Sequence, residues 1–289
     1  MGSMPHRRPH IVCLGTPRYA GADYLSAFSQ TFEYSVLNAT NRAETIAQIP
    51  LLVAGKGPIH GLIIRMGTPP YEPFDAGLLS GLLPHVKIIA SASAGYNKFD
   101  GDWMSANVIT FCNSVNAVAE ATADMAERAA KHELCGAQRE GGDVTGRDPA
   151  GLTLGIVGMG GIGKHLAKKA TVFNMNIAYH NRTRLPALEE KALNTTYHDG
   201  AFLVNTARGA IVDEYALKEA LVRGLDVLCD EPGADTWFLS QENVVVQPHL
   251  GRLTNVAFRK AERECFENVR AFFDEGQARS PVNAEKVRK

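Results

Sequence analysis

Apolar residues in this chain gather into short continuous runs separated by polar and glycine-containing stretches. His10-Ile11-Val12-Cys13-Leu14-Gly15, Gly61-Leu62-Ile63-Ile64-Arg65 and Val86-Lys87-Ile88-Ile89-Ala90-Ser91 each read as a short strand. Runs without polar alternation suit a parallel sheet covered on both faces. Between them, 22–32 and 40–49 have helical spacing, so the first hundred residues predict an α/β unit. The run AVAEATADMAERAA over 117–130 is a strong helix former, and the polar, glycine-rich 136–150 predicts a loop. A second series of strands is expected at 152–157, 176–179, 202–205, 225–229 and 243–247, which makes 151–251 a second α/β unit. The amphipathic stretch 255–273 predicts a closing helix. There is no internal repeat or low-complexity tract.

Composition narrows the partners. The 289 residues are 45% hydrophobic and 21% charged, with a net charge of −1. That balance offers no basic field for nucleic acid or a membrane surface and favours a small-molecule partner. No apolar run reaches the length of a membrane span. Five scattered cysteines with no CxxC argue against a disulfide framework or zinc cage and suit a reducing compartment. Met1-Gly2-Ser3 reads as a tag remnant, no signal-peptide core follows it, and a cytoplasmic location is expected.

The chemistry begins at Gly158-Met159-Gly160-Gly161-Ile162-Gly163, a GxGxxG that follows the strand TLGIV and opens the helix KHLAKKATVF. In that setting the glycines allow a tight turn, backbone approach to a pyrophosphate and close helix–strand packing. The helix N-terminus adds N–H groups and its dipole. At the end of the next strand, where an NAD-binding protein carries an acid, stand Asn181, Arg182, Thr183 and Arg184. Asn181 removes the charge that would repel a 2′-phosphate, and the arginines and the Thr183 hydroxyl match one. The expected cofactor is NADP(H). No histidine or cysteine set has metal-ligand spacing, so no metal is expected.

Three later motifs complete a pattern: NTARG at 205–209, LDVLCDEP at 225–232 and PHLG at 248–251. With GxGxxG ahead of them, they give the chain a resemblance to the D-isomer-specific 2-hydroxyacid dehydrogenases over nearly its whole length. Within that family it looks most like fungal NADP-linked 2-oxoacid reductases and D-mandelate dehydrogenases. The resemblance implies two Rossmann-like doubly wound domains with a cleft between them, and a homodimer. It makes 4–116 with 256–289 the substrate domain and 117–255 the NADP-binding domain. Arg208 matches the arginine that grips the substrate carboxylate, His249 the proton donor and Glu231 the carboxylate that holds that histidine. Asp226 matches a residue near the nicotinamide, and Thr206, Ala207 and Gly251 join it at the cofactor. These types suit the chemistry: a guanidinium forks onto a carboxylate, and a carboxylate beside a histidine keeps its proton on.

The first unit agrees. Ser93-Ala94-Gly95 resembles the family's substrate loop, whose backbone N–H groups meet a carboxylate. Ser93 stands where glycine is commoner in the family, and Asn97 where aspartate is. Arg65 and Met66, ending an earlier strand, are candidates to reach the same substrate. Two other readings stay open: a dinucleotide-sensing corepressor of the same fold, and a glyoxylate or hydroxypyruvate reductase.

Three joints are shorter than the resemblance implies: near 126–127, from Leu193 to Ala201, and near 222–224. The second passes almost directly from helix to strand, although a parallel crossover with its helix takes about 30 residues. Intact motifs on both sides are the pattern of a longer chain with internal segments left out of these 289 residues. An intact mass of 31.3 kDa would refute that.

Overall fold

A computed structural model of the chain describes residues 8–114, 116–124, 150–181, 183–197, 203–204 and 254–287. The chain divides into two compact units: Met1–Val118 with Thr254–Lys289, and Ala119–Leu253. Expected strands at 225–229 and 243–247 lie outside the described residues.

The first unit is a five-stranded parallel sheet. Its strands are β1 (His10–Leu14), β2 (Glu33–Leu37), β3 (Gly61–Ile64), β4 (Ile88–Ser91) and β5 (Thr110–Cys112), in the order β2-β1-β3-β4-β5. The direction of winding changes between β1 and β3. Side chains alternate between the faces, as the pleat requires. Val12, Leu14, Leu62, Ile64 and Ile89 belong to one core cluster; Ile11, Cys13, Ile63, Ile88 and Ala90 belong to the other. Both faces are therefore apolar, which is why the strands read as unbroken hydrophobic runs.

Helix α1 (Ala22–Thr31) buries Phe28 in the second cluster, and α2 (Arg42–Lys56) buries Ile49 in the first. The sequence stops the second helix before Pro50, yet α2 continues to Lys56. Pro50 removes a hydrogen bond to the carbonyl of Ile46, and both residues lie on the exposed side, where water replaces it. The short helices α3 (Ala76–Leu79) and α4 (Gly101–Ala106) follow β3 and β4.

A helix α5 runs over 116–124. Among the described residues, the second unit's sheet has β6 (Thr153–Val157), β7 (Asn176–His180), β8 (Thr195–Tyr197) and β9 (Leu203–Val204), all parallel in the order β8-β7-β6-β9. Helix α6 (Gly161–Val172) follows β6, and α7 (Ala187–Leu193) follows β7. Leu166, Ala167 and Ala170 pack on Leu154, Ile156 and Ile177.

Helix α8 (Asn255–Asp274) belongs to the first unit, with the short α9 (Ala284–Val287) after it. Thr254 Oγ1 accepts from Ala257 N–H at 3.0 Å and caps α8. Ala261, Cys265, Phe266 and Val269 form its buried stripe. Glu262, 2% exposed, accepts from the N–H groups of Arg18, Tyr19 and Ala20 at 3.1, 2.6 and 3.0 Å. A buried carboxylate is satisfied this way by backbone donors, and the loop before α1 is tied to α8.

Candidate active site

The glycine loop leaves β6 at its carboxyl end. Gly158 has φ 94°, a conformation that favours glycine, and its N–H donates to His180 O at 2.8 Å. Gly160 is the N-cap of α6. A Cβ on Gly158 or Gly160 would meet no described protein atom within 4 Å. Gly163 is the opposite case: a Cβ there would overlap the Gly158 carbonyl oxygen and lie 3.2 Å from Ile156 Cγ2. The third glycine thus brings α6 hard against the strand end, and the first two leave room above the loop. Met159 is 1% exposed and Ile162 packs on the same core, so both hold the loop from below. The open space and the helix N-terminus fit a dinucleotide pyrophosphate.

The stretch after β7 carries a network that sequence reasoning missed. Arg184 donates from Nε to Glu190 Oε1 at 2.8 Å and from Nη2 to Glu190 Oε2 at 3.0 Å. Tyr179, 1% exposed, donates its hydroxyl to Glu190 Oε1 at 2.5 Å and accepts from Leu185 N–H at 3.0 Å. The Arg184 fork, reinforced by the Tyr179 hydroxyl, pulls the Glu190 carboxyl down to about 2. The Arg184 guanidinium is in turn pushed above its ordinary value, chiefly by its hydrogen bonds to Glu190. The charge expected to meet a phosphate is thus already shared with a carboxylate. Asn181 Nδ2 donates to Thr183 O at 2.9 Å, closing a turn that exposes Thr183. Arg182 lies outside the described residues, as do Thr206, Ala207, Arg208, Asp226, Glu231, His249 and Gly251.

In the first unit, the loop after β4 is pinned from three sides. Ser91 and Ser93 hydroxyls meet at 2.8 Å, Ser93 Oγ donates to Gly95 O at 3.0 Å, and Asn113 Nδ2 donates to Ala94 O at 2.6 Å. Ser93 therefore shapes the loop with a hydroxyl that glycine lacks. Among the described residues, nothing accepts from the N–H groups of Ala94 or Gly95. Arg65 and Met66 leave β3 beside this loop, because Ala92 N–H donates to Ile64 O at 2.9 Å.

A parallel α/β unit with a glycine cradle at the carboxyl end of its first strand defines a dinucleotide-binding protein. The family is narrower. Residues 18–283 match the model of the D-isomer specific 2-hydroxyacid dehydrogenase catalytic domain, and the chain belongs to that family. The dehydrogenase efuE of Hormonema carpetanum is 47% identical over 328 residues, covering 96% of this chain and 82% of that protein. A glyoxylate reductase structure from Paecilomyes thermophila superposes with TM-score 0.81 at 28% identity, covering 98% and 100% of the two chains. The NADPH-dependent glyoxylate/hydroxypyruvate reductase of Sinorhizobium meliloti, solved with NADP and malonate, is 25% identical with TM-score 0.69, covering 96% and 98%. The protein is an α/β oxidoreductase of the family that interconverts 2-oxoacids and 2-hydroxyacids with a nicotinamide cofactor.

Proposed function

We propose that the chain reduces 2-oxoacids to D-2-hydroxyacids and prefers NADPH to NADH. The observation that carries this reading is the glycine cradle after β6 together with the acid-free Asn181–Arg184 stretch at the end of β7. Gly158 to Gly163 would hold the pyrophosphate. Arg182, Thr183 and Asn181 would receive the 2′-phosphate, with Arg184 contributing what charge Glu190 leaves it. The Sinorhizobium meliloti relative, NADPH-dependent and solved with NADP, supports this choice of cofactor. Thr206, Ala207, Asp226 and Gly251 would lie toward the nicotinamide.

Bound reduced nicotinamide supplies the hydride. The chain's residues supply the rest. Arg208 and the N–H groups of Ala94 and Gly95 fix the substrate carboxylate and draw electron density toward the carbonyl oxygen. His249 donates its proton to that oxygen as hydride reaches C2, which balances the conversion to a hydroxyl. Glu231 orients the imidazole and stabilises its charged form. In this reading, 4–116 with 256–289 serves the substrate and 117–255 the cofactor, in a cytoplasmic homodimer. Turnover of NADPH and NADH should be measured against oxoacids from glyoxylate and pyruvate to 4-methyl-2-oxopentanoate, phenylglyoxylate and 2-oxoglutarate. Faster turnover with NADPH supports the proposal. No turnover with either cofactor, in folded protein, overturns it.

A further inference from the structure

Arg65 occupies an unusual position. It follows β3, and its side chain crosses to the end of β1, where a Cβ on Gly15 would overlap its Nε and lie 3.1 Å from its Cδ. Gly15 has φ 79° and Gly67 has φ 93°; a Cβ on Gly67 would lie 3.6 Å from Arg65 Nη1. Two glycines thus make room for one guanidinium. Among the described residues its one hydrogen-bond partner is Met66 O, reached from Nη1 at 2.7 Å, and its Nε is buried with no partner. No carboxylate among the described residues pairs with it. A guanidinium that is partly desolvated and unpaired costs stability, which an anionic ligand would offset.

The place is the one where open parallel sheets bind ligands: outside the carboxyl ends, at the change of winding direction between β1 and β3. One strand further along, the N–H groups of Ala94 and Gly95 form a second, separate anion acceptor. From the end of β4 to the end of β1 is two strand spacings, about 10 Å. A four- or five-carbon diacid, with a charge-assisted hydrogen bond of about 2.8 Å at each end, spans that distance.

We infer that Arg65 binds a second carboxylate of the substrate, so that the preferred 2-oxoacids are diacids. This rests on the reductase reading above. The 2-oxo carboxylate sits on the Ala94–Gly95 loop, and the distal carboxylate meets Arg65 over Gly15.

The test compares kcat/KM for 2-oxoglutarate and 4-methyl-2-oxopentanoate in wild type, R65K and R65M. Wild type is expected to favour the diacid. R65M should lose about 10- to 100-fold on the diacid, mostly through KM, and stay within about threefold on the monoacid. R65K, which keeps charge without the fork, should fall between. Equal losses on both substrates, or a wild type that favours the monoacid, would overturn the inference. Should R65M not fold, R65K carries the comparison alone. If no oxoacid turns over, the reductase reading fails separately, and calorimetry decides: Arg65-dependent binding of 2-oxoglutarate still supports the site, and its absence overturns it.

Discussion

Gly163→Ala tests the cradle most directly, because two opposing terms can be compared. In an exposed helix interior, alanine stabilises by about 1 kcal/mol over glycine. Here the new Cβ would overlap the Gly158 carbonyl oxygen, with Ile156 Cγ2 and the Gly158 carbonyl carbon at 3.2 Å. Backbone cannot rotate away as a side chain would, so either the loop shifts or α6 lifts from the core held by Leu166, Ala167 and Ala170. Overpacking of this kind costs about 1–3 kcal/mol. Net of that gain the clash should cost up to about 2 kcal/mol, lowering the midpoint of thermal unfolding by up to roughly 8 °C. Gly160→Ala is the contrast. Its Cβ meets no described protein atom, so the loss without ligand is only the weaker N-cap, below about 1 kcal/mol. That same Cβ would stand where the pyrophosphate goes, and NADP⁺ affinity by calorimetry should fall about tenfold or more. Gly163→Ala melting at or above wild type would refute the packing argument. Gly160→Ala binding NADP⁺ like wild type would refute the location of the pyrophosphate.

Glu190→Gln should destabilise the protein at neutral pH. Glu190's folded-state value is depressed, so its contribution is present above the ordinary carboxylate range and is lost as pH falls toward about 2; denaturation curves of mutant and wild type should converge over that window. Glu262→Gln removes a buried carboxylate from three backbone donors and should cost about 2–3 kcal/mol in urea unfolding, with little change in NADP⁺ affinity. Asn181→Asp should weaken NADP⁺ binding and leave NAD⁺ binding equal or tighter; the opposite order would remove Asn181 from the ribose site. Burial pushes the Cys13 and Cys112 thiols up to about 12, so both should resist alkylation until the protein unfolds.

The strands of the first unit's interior were legible because both faces of its sheet are covered. β1, β3 and β4 are unbroken apolar runs, and the structure places them where the runs lie. β2, with the sequence EYSVL, lies at a sheet edge, is only partly buried and carries no such run. β8 escaped for another reason: Asn194 at φ 49° turns the chain out of α7 in one residue, leaving only three residues to show a pattern. The glycine cradle could be read from spacing because its parts are consecutive. The Tyr179–Glu190–Arg184 network could not, since its contacts cross from a strand to the following helix at separations of eleven and six residues. Gly15 and Arg65 are fifty positions apart, and only the pairing of β1 with β3 brings them together.

The short joint before the NTARG motif now has a structural measure. Among the described strands, β8 and β9 stand at opposite ends of the order β8-β7-β6-β9, and five residues, 198–202, separate them in sequence. End to end is three strand spacings, about 14 Å. Six peptide steps reach about 20 Å, enough for a straight path but not for a helix over the sheet. Parallel strands are ordinarily joined by a dozen or more residues for that reason. The efuE alignment points the same way: 328 positions against 289 residues leaves at least 39 in the aligned span with no counterpart here. An intact mass above 31.3 kDa would mean that the missing positions exist in the protein and that β9 has other neighbours. A mass of 31.3 kDa would mean that the strand leading to Arg208 pairs directly with the strand that carries the glycine loop.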